Sequence, residues 1–261
     1  MPDVLTHPEA AHGHPPVHTI TLDHPWRWLE AGWSDLRSNP RLSLGYGAIY
    51  VVASYLITYA LVSGQLFYLV PPLAAGFFLV APLLGIGLYA ASRTHAAGGT
   101  PHFGELREAW SSNPVHLAAM GVALMIMLLV WMMLANLVFA LFFQGLVPTW
   151  ENFIPEVFLS GDSPVFLVSG IAVGAVVAFF TFAISAISVP MLMDRQVDVM
   201  TAIQTSLEAV RTNWRPMLLW AAIIVVLVGT GLATFYLGLL VAMPVVGHAT
   251  WHAYRDLVGE E

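Results

Sequence analysis

Five stretches of this chain, roughly residues 42–63, 66–92, 115–147, 164–193 and 216–254, contain no Asp, Glu, Lys or Arg. A bilayer core is crossed by about 20 apolar residues of helix, so each stretch is long enough to cross. The last is close to twice the length of one span. Gly229-Thr230-Gly231 interrupts it, and such a sequence can form a tight reversal. It reads as two short helices, about 216–230 and 232–254; the alternative is one long tilted or kinked helix. The predicted total is six spans, which puts both termini on the same side.

The positive charges test that count. There is no lysine, and the nine arginines are Arg27, Arg37, Arg41, Arg93, Arg107, Arg195, Arg211, Arg215 and Arg255. With six spans, all nine fall on one side: in the N-terminal segment, the 93–114 loop, the 194–215 loop and the C-terminal tail. The 63–68 turn, the 146–163 loop and the 229–231 turn hold none, and the middle one carries Glu151, Glu156 and Asp162. Five spans would leave Arg255 on the wrong side. Arginine-rich loops stay cytoplasmic, so the expected topology is a multi-pass protein of the bacterial inner membrane with both termini cytoplasmic.

Composition agrees. Charged residues make up 10% of the chain, against about 25% in a soluble domain. The formal charge of −7 comes from scattered acids, and no basic field suited to nucleic acid is present. The absence of cysteine excludes disulfides, thiolate metal sites, iron–sulfur clusters and a cysteine nucleophile. The first residues lack the basic and apolar regions of a signal peptide. Residues 1–24 read as a disordered His/Pro-rich cytoplasmic tail, with His7, His12, His14, His18 and His24 as loose metal-recruiting groups at most.

The basic segments share a plan. Trp26, Leu29, Trp33 and Leu36 lead to Asn39-Pro40; Phe103, Leu106 and Trp110 lead to Asn113-Pro114; Met200, Ile203, Leu207 and Val210 lead to Asn213-Trp214-Arg215-Pro216. The three- and four-residue steps are helical. Charge lies on the other face: Arg27, Glu30, Asp35 and Arg37 in the first, Glu105, Arg107 and Glu108 in the second, Glu208 and Arg211 in the third. Such helices are expected to lie in the membrane interface. Eleven residues separate Pro82 from Arg93, and Pro244 from Arg255. The expected fold is all-α: a polytopic membrane bundle over 25–258 in which six transmembrane helices form three hairpins, each preceded by an interfacial amphipathic helix. The repeats are about 25–93, 101–195 and 197–255.

Three stretches carry a family resemblance: Ala81-Pro82-Leu83-Leu84-Gly85-Ile86-Gly87-Leu88-Tyr89, Ser188-Val189-Pro190-Met191-Leu192-Met193-Asp194-Arg195 and Asn213-Trp214-Arg215-Pro216-Met217. With them the chain resembles a family of bacterial integral membrane proteins of about six spans and unknown function. Some of its members are labelled as similar to a cytochrome c oxidase subunit. The resemblance implies the fold and supplies no site.

Candidate chemistry is sparse. His248 and His252 sit four apart near the end of the last span, and His95 lies at a comparable depth past the second, so the three are a candidate metal site; interfacial histidines are the ordinary alternative. The spans lack the mid-depth charges that mark proton pathways, which argues against a proton-coupled pump. Asn136, Tyr55, Tyr59 and Ser185 are the candidate intramembrane polar site, although Asn136 is more simply a bond to a neighbouring helix. The outer Trp150-Glu151-Asn152-Phe153 reads as interfacial. No hydrolase, metalloprotease, P-loop or dinucleotide motif is present, and no cofactor is expected. The sequence therefore reads as a non-enzymatic membrane protein. Its partners are the bilayer and a membrane protein or a second copy, in an accessory or assembly role within a larger complex such as a respiratory one. A transporter or channel for a neutral or hydrophobic solute, and a metal- or haem-handling protein, are the alternatives.

Overall fold

The computed structural model describes residues 15–144, 149, 152–161 and 163–259. Trp150, Glu151, Asp162 and the first fourteen residues, with His7, His12 and His14, lie outside them. Every regular element among the described residues is helical. Besides a 3-10 turn at Phe67–Leu69 they are, in chain order, α1 His24–Ser38, α2 Pro40–Ser63, α3 Val70–Leu84, α4 Ile86–Ala96, α5 Glu105–Ser112, α6 Pro114–Phe142, α7 Phe153–Phe158, α8 Ser163–Ser185, α9 Ser188–Asp194, α10 Val199–Thr212, α11 Trp214–Ala233 and α12 Leu239–Val258.

Five helical stretches are long and apolar enough to cross a membrane: 40–63, 67–96, 114–142, 163–194 and 214–233. The helix expected to be the sixth span, α12, is not among them. It has the length, but it carries His248, His252, Arg255 and Asp256, and most of its residues are buried within the chain. It packs against α1, α2, α4 and α11. Glycines allow these approaches: a Cβ on Gly32 of α1 would lie 2.6 Å from the Val245 carbonyl oxygen, and one on Gly47 of α2 would collide with the Leu240 carbonyl. A helix surrounded by protein need not be apolar on every side.

The break between α11 and α12 falls later than the sequence suggests. Gly229, Thr230 and Gly231 remain helical, and the chain turns at Thr234–Gly238. Gly231 is used for close packing, since a Cβ there would meet a Leu239 methyl at 2.7 Å. Phe235 and Tyr236 supply the reversal at φ 53° and 69°, a conformation that is costly for bulky residues. Two bonds hold it: Tyr55 donates to the Phe235 carbonyl at 2.7 Å, and the Thr58 and Tyr236 hydroxyls lie 2.8 Å apart.

The three amphipathic helices α1, α5 and α10 end at Asn39, Asn113 and Asn213, and a span starts at once. Asn39 and Asn113 have nearly the same backbone, φ −137°, ψ 67° and φ −147°, ψ 60°; Asn213 is close at φ −114°, ψ 38°. Prolines at the starts of α2 and α6 fit positions whose N–H has no helical acceptor. The asparagine side chains bond in a cycle. Asn39 donates to the Pro101 carbonyl (3.0 Å) ahead of α5, Asn113 to Val197 (2.8 Å) ahead of α10, and Asn213 to His18 (3.0 Å) ahead of α1.

Two of the long stretches, 67–96 and 163–194, are broken. Between α3 and α4, the exposed carbonyls of Pro82 and Leu84 accept hydrogen bonds from Tyr89 (2.9 Å) and Tyr50 (2.7 Å). Between α8 and α9, Ser206 of α10 donates to the Ala183 carbonyl at 2.8 Å and accepts from the Ile187 N–H at 3.2 Å. Backbone groups freed inside apolar surroundings need such partners.

The main core lies toward the arginine-bearing end, around Trp28, Ile86, Leu117, Ile187, Trp220 and Tyr254. Farther from that end the spans divide. α3, α6 and α8 pack together around Leu79, Trp131 and Val177, while α2 and α11 pack on α12. A cleft of about 180 Å³ separates them, lined by Ile57, Thr58, Leu61, Phe77, Leu128 and Tyr236.

Candidate functional site

The buried stripe of α1 runs through Trp28, Gly32, Asp35 and Leu36. Trp28 is fully buried, meets Trp220 edge-on at 5.7 Å and donates its indole N–H to Asp256 at 2.6 Å. Of the three tryptophans of α1, Trp28 is thus seated in the core, while Trp26 and Trp33 remain exposed. The same stripe carries Asp35 inward, although its charge suggests the polar face.

Asp35 is the hub of the site. Its Oδ2 accepts from the Ser92 hydroxyl of α4 at 2.6 Å and from His252 Nε2 of α12 at 2.9 Å. His95 Nε2 approaches Oδ1 at 3.8 Å. Ser92 also meets Nδ1 of His248 at 2.7 Å, and Nε2 of His248 meets the Ser43 hydroxyl of α2 at 2.9 Å. Ser92 spends its single proton on Asp35, so Nδ1 of His248 donates and Nε2 accepts from Ser43. The result is an unbroken chain, Ser43–His248–Ser92–Asp35–His252, across four helices. Burial works against the Asp35 charge, but the hydrogen bonds from His252 and Ser92 outweigh it and hold the carboxyl below its ordinary range.

A second set of polar groups lies beside it. The Tyr254 hydroxyl donates to Asp194 at 2.8 Å and accepts from Arg195 Nε at 3.0 Å, Arg195 also donates to the Val258 carbonyl at 2.8 Å, and Arg93 lies 3.7 Å from Asp194. These contacts join the ends of α4, α9 and α12. The described part of the N-terminal tail belongs here too: the His18 N–H bonds the Leu257 carbonyl at 2.9 Å and the Ile20 N–H bonds Asn213 at 2.9 Å. Order therefore begins ahead of residue 24. One buried acid stands apart. Glu105 accepts from the His102 N–H at 3.2 Å through Oε1, and its Oε2 has no partner among the described residues.

The structure brings His95, His248 and His252 together, as their depths in the sequence suggest. As placed, they are hydrogen-bond or ion-pair partners of Asp35 and two serines. Among the described residues no group of three or more His, Asp or Glu side chains is arranged to hold a metal ion. Sequence reasoning missed Asp35, Ser43 and Ser92. The four- and three-residue steps from Trp28 through Gly32 to Asp35 were the available signal.

The four candidates for an intramembrane polar site do not converge. Ser185 is buried on α8 and bonds its own helix at Thr181. Tyr55 holds the turn before α12, and Tyr59 is 72% exposed one turn further along α2. Asn136 is exposed on α6, and its amide donates to the Met132 carbonyl of the same helix at 2.8 Å. No neighbouring helix of this chain receives it among the described residues.

No curated protein and no solved structure matches the chain. The oxidase label attached to some similar proteins thus gains nothing from these comparisons. Residues 69–194, from the start of α3 through α9, match the model of a family described as predicted integral membrane protein (DUF2189), and that match together with five apolar helical stretches marks the chain as an integral membrane protein.

Proposed function

We propose that the chain is a non-enzymatic accessory or assembly component of a larger complex in the bacterial inner membrane, with both termini cytoplasmic. The observation that carries this reading is Asn136. It lies within the apolar run of α6, six residues before the helix ends at Phe142. The face it occupies points away from the rest of the chain. One amide hydrogen reaches Met132, which leaves a carbonyl and an N–H on the outer surface of the helix. Unpaired polar groups in hydrocarbon are costly, and asparagine in such places bonds a neighbouring helix. By contrast, every exposed side chain of α8 is apolar, as a lipid-facing helix requires. The same reading takes 25–93, 101–195 and 197–255 as three copies of one unit, supported by the cyclic asparagine bonds.

A hydrophobic-solute transporter is the second reading, favoured by the apolar cleft between α2 and α3. The test is extraction of the native protein into lipid nanodiscs and measurement of the particle's protein mass. The assembly reading expects particles whose protein mass exceeds that of one 28.4 kDa chain, with a smaller share of such particles for Asn136→Leu. A single chain per particle under native extraction contradicts it.

A further inference from the structure

We propose that the partner across α6 is a second copy of this chain, paired in parallel so that the two Asn136 side chains meet. This inference rests on the assembly reading above and names its partner. Positions 119, 122, 126, 129, 133, 136 and 140 of α6 are all exposed. Their spacing alternates between three and four residues, the seam of a two-stranded left-handed coil. Six of the seven are apolar, and Val122, Leu129 and Met133 are each more than 60% exposed. The seam is ~32 Å long at 1.5 Å per residue, matching a bilayer core of about 30 Å. The opposite side of α6 is filled: Leu117, Met120, Leu124 and Trp131 are buried, and Trp131 donates to the Pro72 carbonyl of α3 at 2.7 Å.

The choice of a second copy follows from the asparagine. Two copies inserted the same way are related by a twofold axis along the membrane normal, so their α6 helices run parallel and equal positions face each other. A carboxamide carries one acceptor and one donor edge. Two facing asparagines therefore satisfy each other, and an identical helix supplies the complementary group at the required depth. A single asparagine in an apolar seam is also what fixes register in two-stranded coils.

The test exploits the absence of cysteine. Single substitutions Val122→Cys, Leu129→Cys and Met133→Cys on the seam, and Val168→Cys on α8, are oxidised in native membranes. The proposal expects a species of twice the chain mass for the three seam positions and little for Val168→Cys. In nanodiscs, Asn136→Leu should raise the dimer dissociation constant by about threefold to thirtyfold, and Asn136→Gln should restore much of the loss. Asn136 is exposed, so loss of the fold does not confuse the result. Multichain particles containing a different protein, with no seam crosslinks, overturn the second copy and leave the assembly reading standing. Single chains without a partner overturn both.

Discussion

The two ends of this molecule solve the same problem differently. At the arginine-bearing end, polar side chains bond across the sequence: Asp35 to His252, Ser43 to His248, Asn213 to His18 and Tyr254 to Asp194. Farther along the spans, bonds within one helix, such as Thr181 to Val177 and Asn136 to Met132, stand beside a few between segments, those of Tyr55, Thr58 and Trp131. Coverage differs in parallel. The most apolar windows of the five spanning stretches are only 11–33% buried within the chain. The apolar half is left largely uncovered by the chain itself, and the polar end carries most of the cross-sequence bonds. Hydrogen bonds supply directional specificity there, whereas between spans in lipid only close packing and occasional polar contacts discriminate one neighbour from another.

This contrast can be broken by mutation, with stability read as thermal unfolding in detergent. Trp28→Ala should be the most damaging change, at about 3–5 kcal/mol, because it empties the contact between α1 and α11 and frees Asp256. Asp35→Ala should follow at about 2–4 kcal/mol, since His252 and Ser92 lose a charged acceptor. If these variants unfold no sooner than the parent, the polar end is not the structural anchor.

Acid sharpens the comparison. The folded carboxyl of Asp35 sits below its ordinary value of 3.8, so its contribution is complete above that value. It is lost as pH falls through the lower folded value. An acid titration of the melting temperature should therefore decline more steeply below about pH 4 in the parent than in Asp35→Asn. Equal slopes would detach Asp35 from acid stability. Asn113→Ala should cost about 1–2 kcal/mol, and Asn39→Ala a similar amount if the corners form one cycle. At the bottom of the scale, Ile171→Ala on the bare face of α8 should change stability by about 0.5 kcal/mol or less; a large effect there would mean that this face is packed.

The spans, the amphipathic helices and the three asparagine corners were legible because apolar length and helical spacing are local signals. The reversal before α12 was misplaced by several residues because two glycines suggested a turn, while the turn formed at Phe235 and Tyr236 depends on Tyr55 and Thr58 from a distant helix. Asp35 was hidden for a similar reason: a charged residue next to the polar face reads as solvated until its partners on α4 and α12 are in place. Depth along the spans makes the three histidines neighbours, yet the bonds of His248 run to Ser43 and Ser92, which no spacing links to it. Five helices qualify as spans by composition, and α12 does not, because protein rather than lipid surrounds it.

The central claim is that all the arginine-bearing segments share one end of the molecule, closed by α12 returning to it. With no native cysteine to interfere, single cysteines at Arg107, Arg211 and Arg255, and at Leu159 beyond α7, are labelled in intact cells and in inverted membrane vesicles with a reagent that cannot cross the bilayer. The account predicts labelling of the first three only in inverted vesicles and of Leu159→Cys only in intact cells. Labelling of Arg255→Cys from the same side as Leu159→Cys would contradict it.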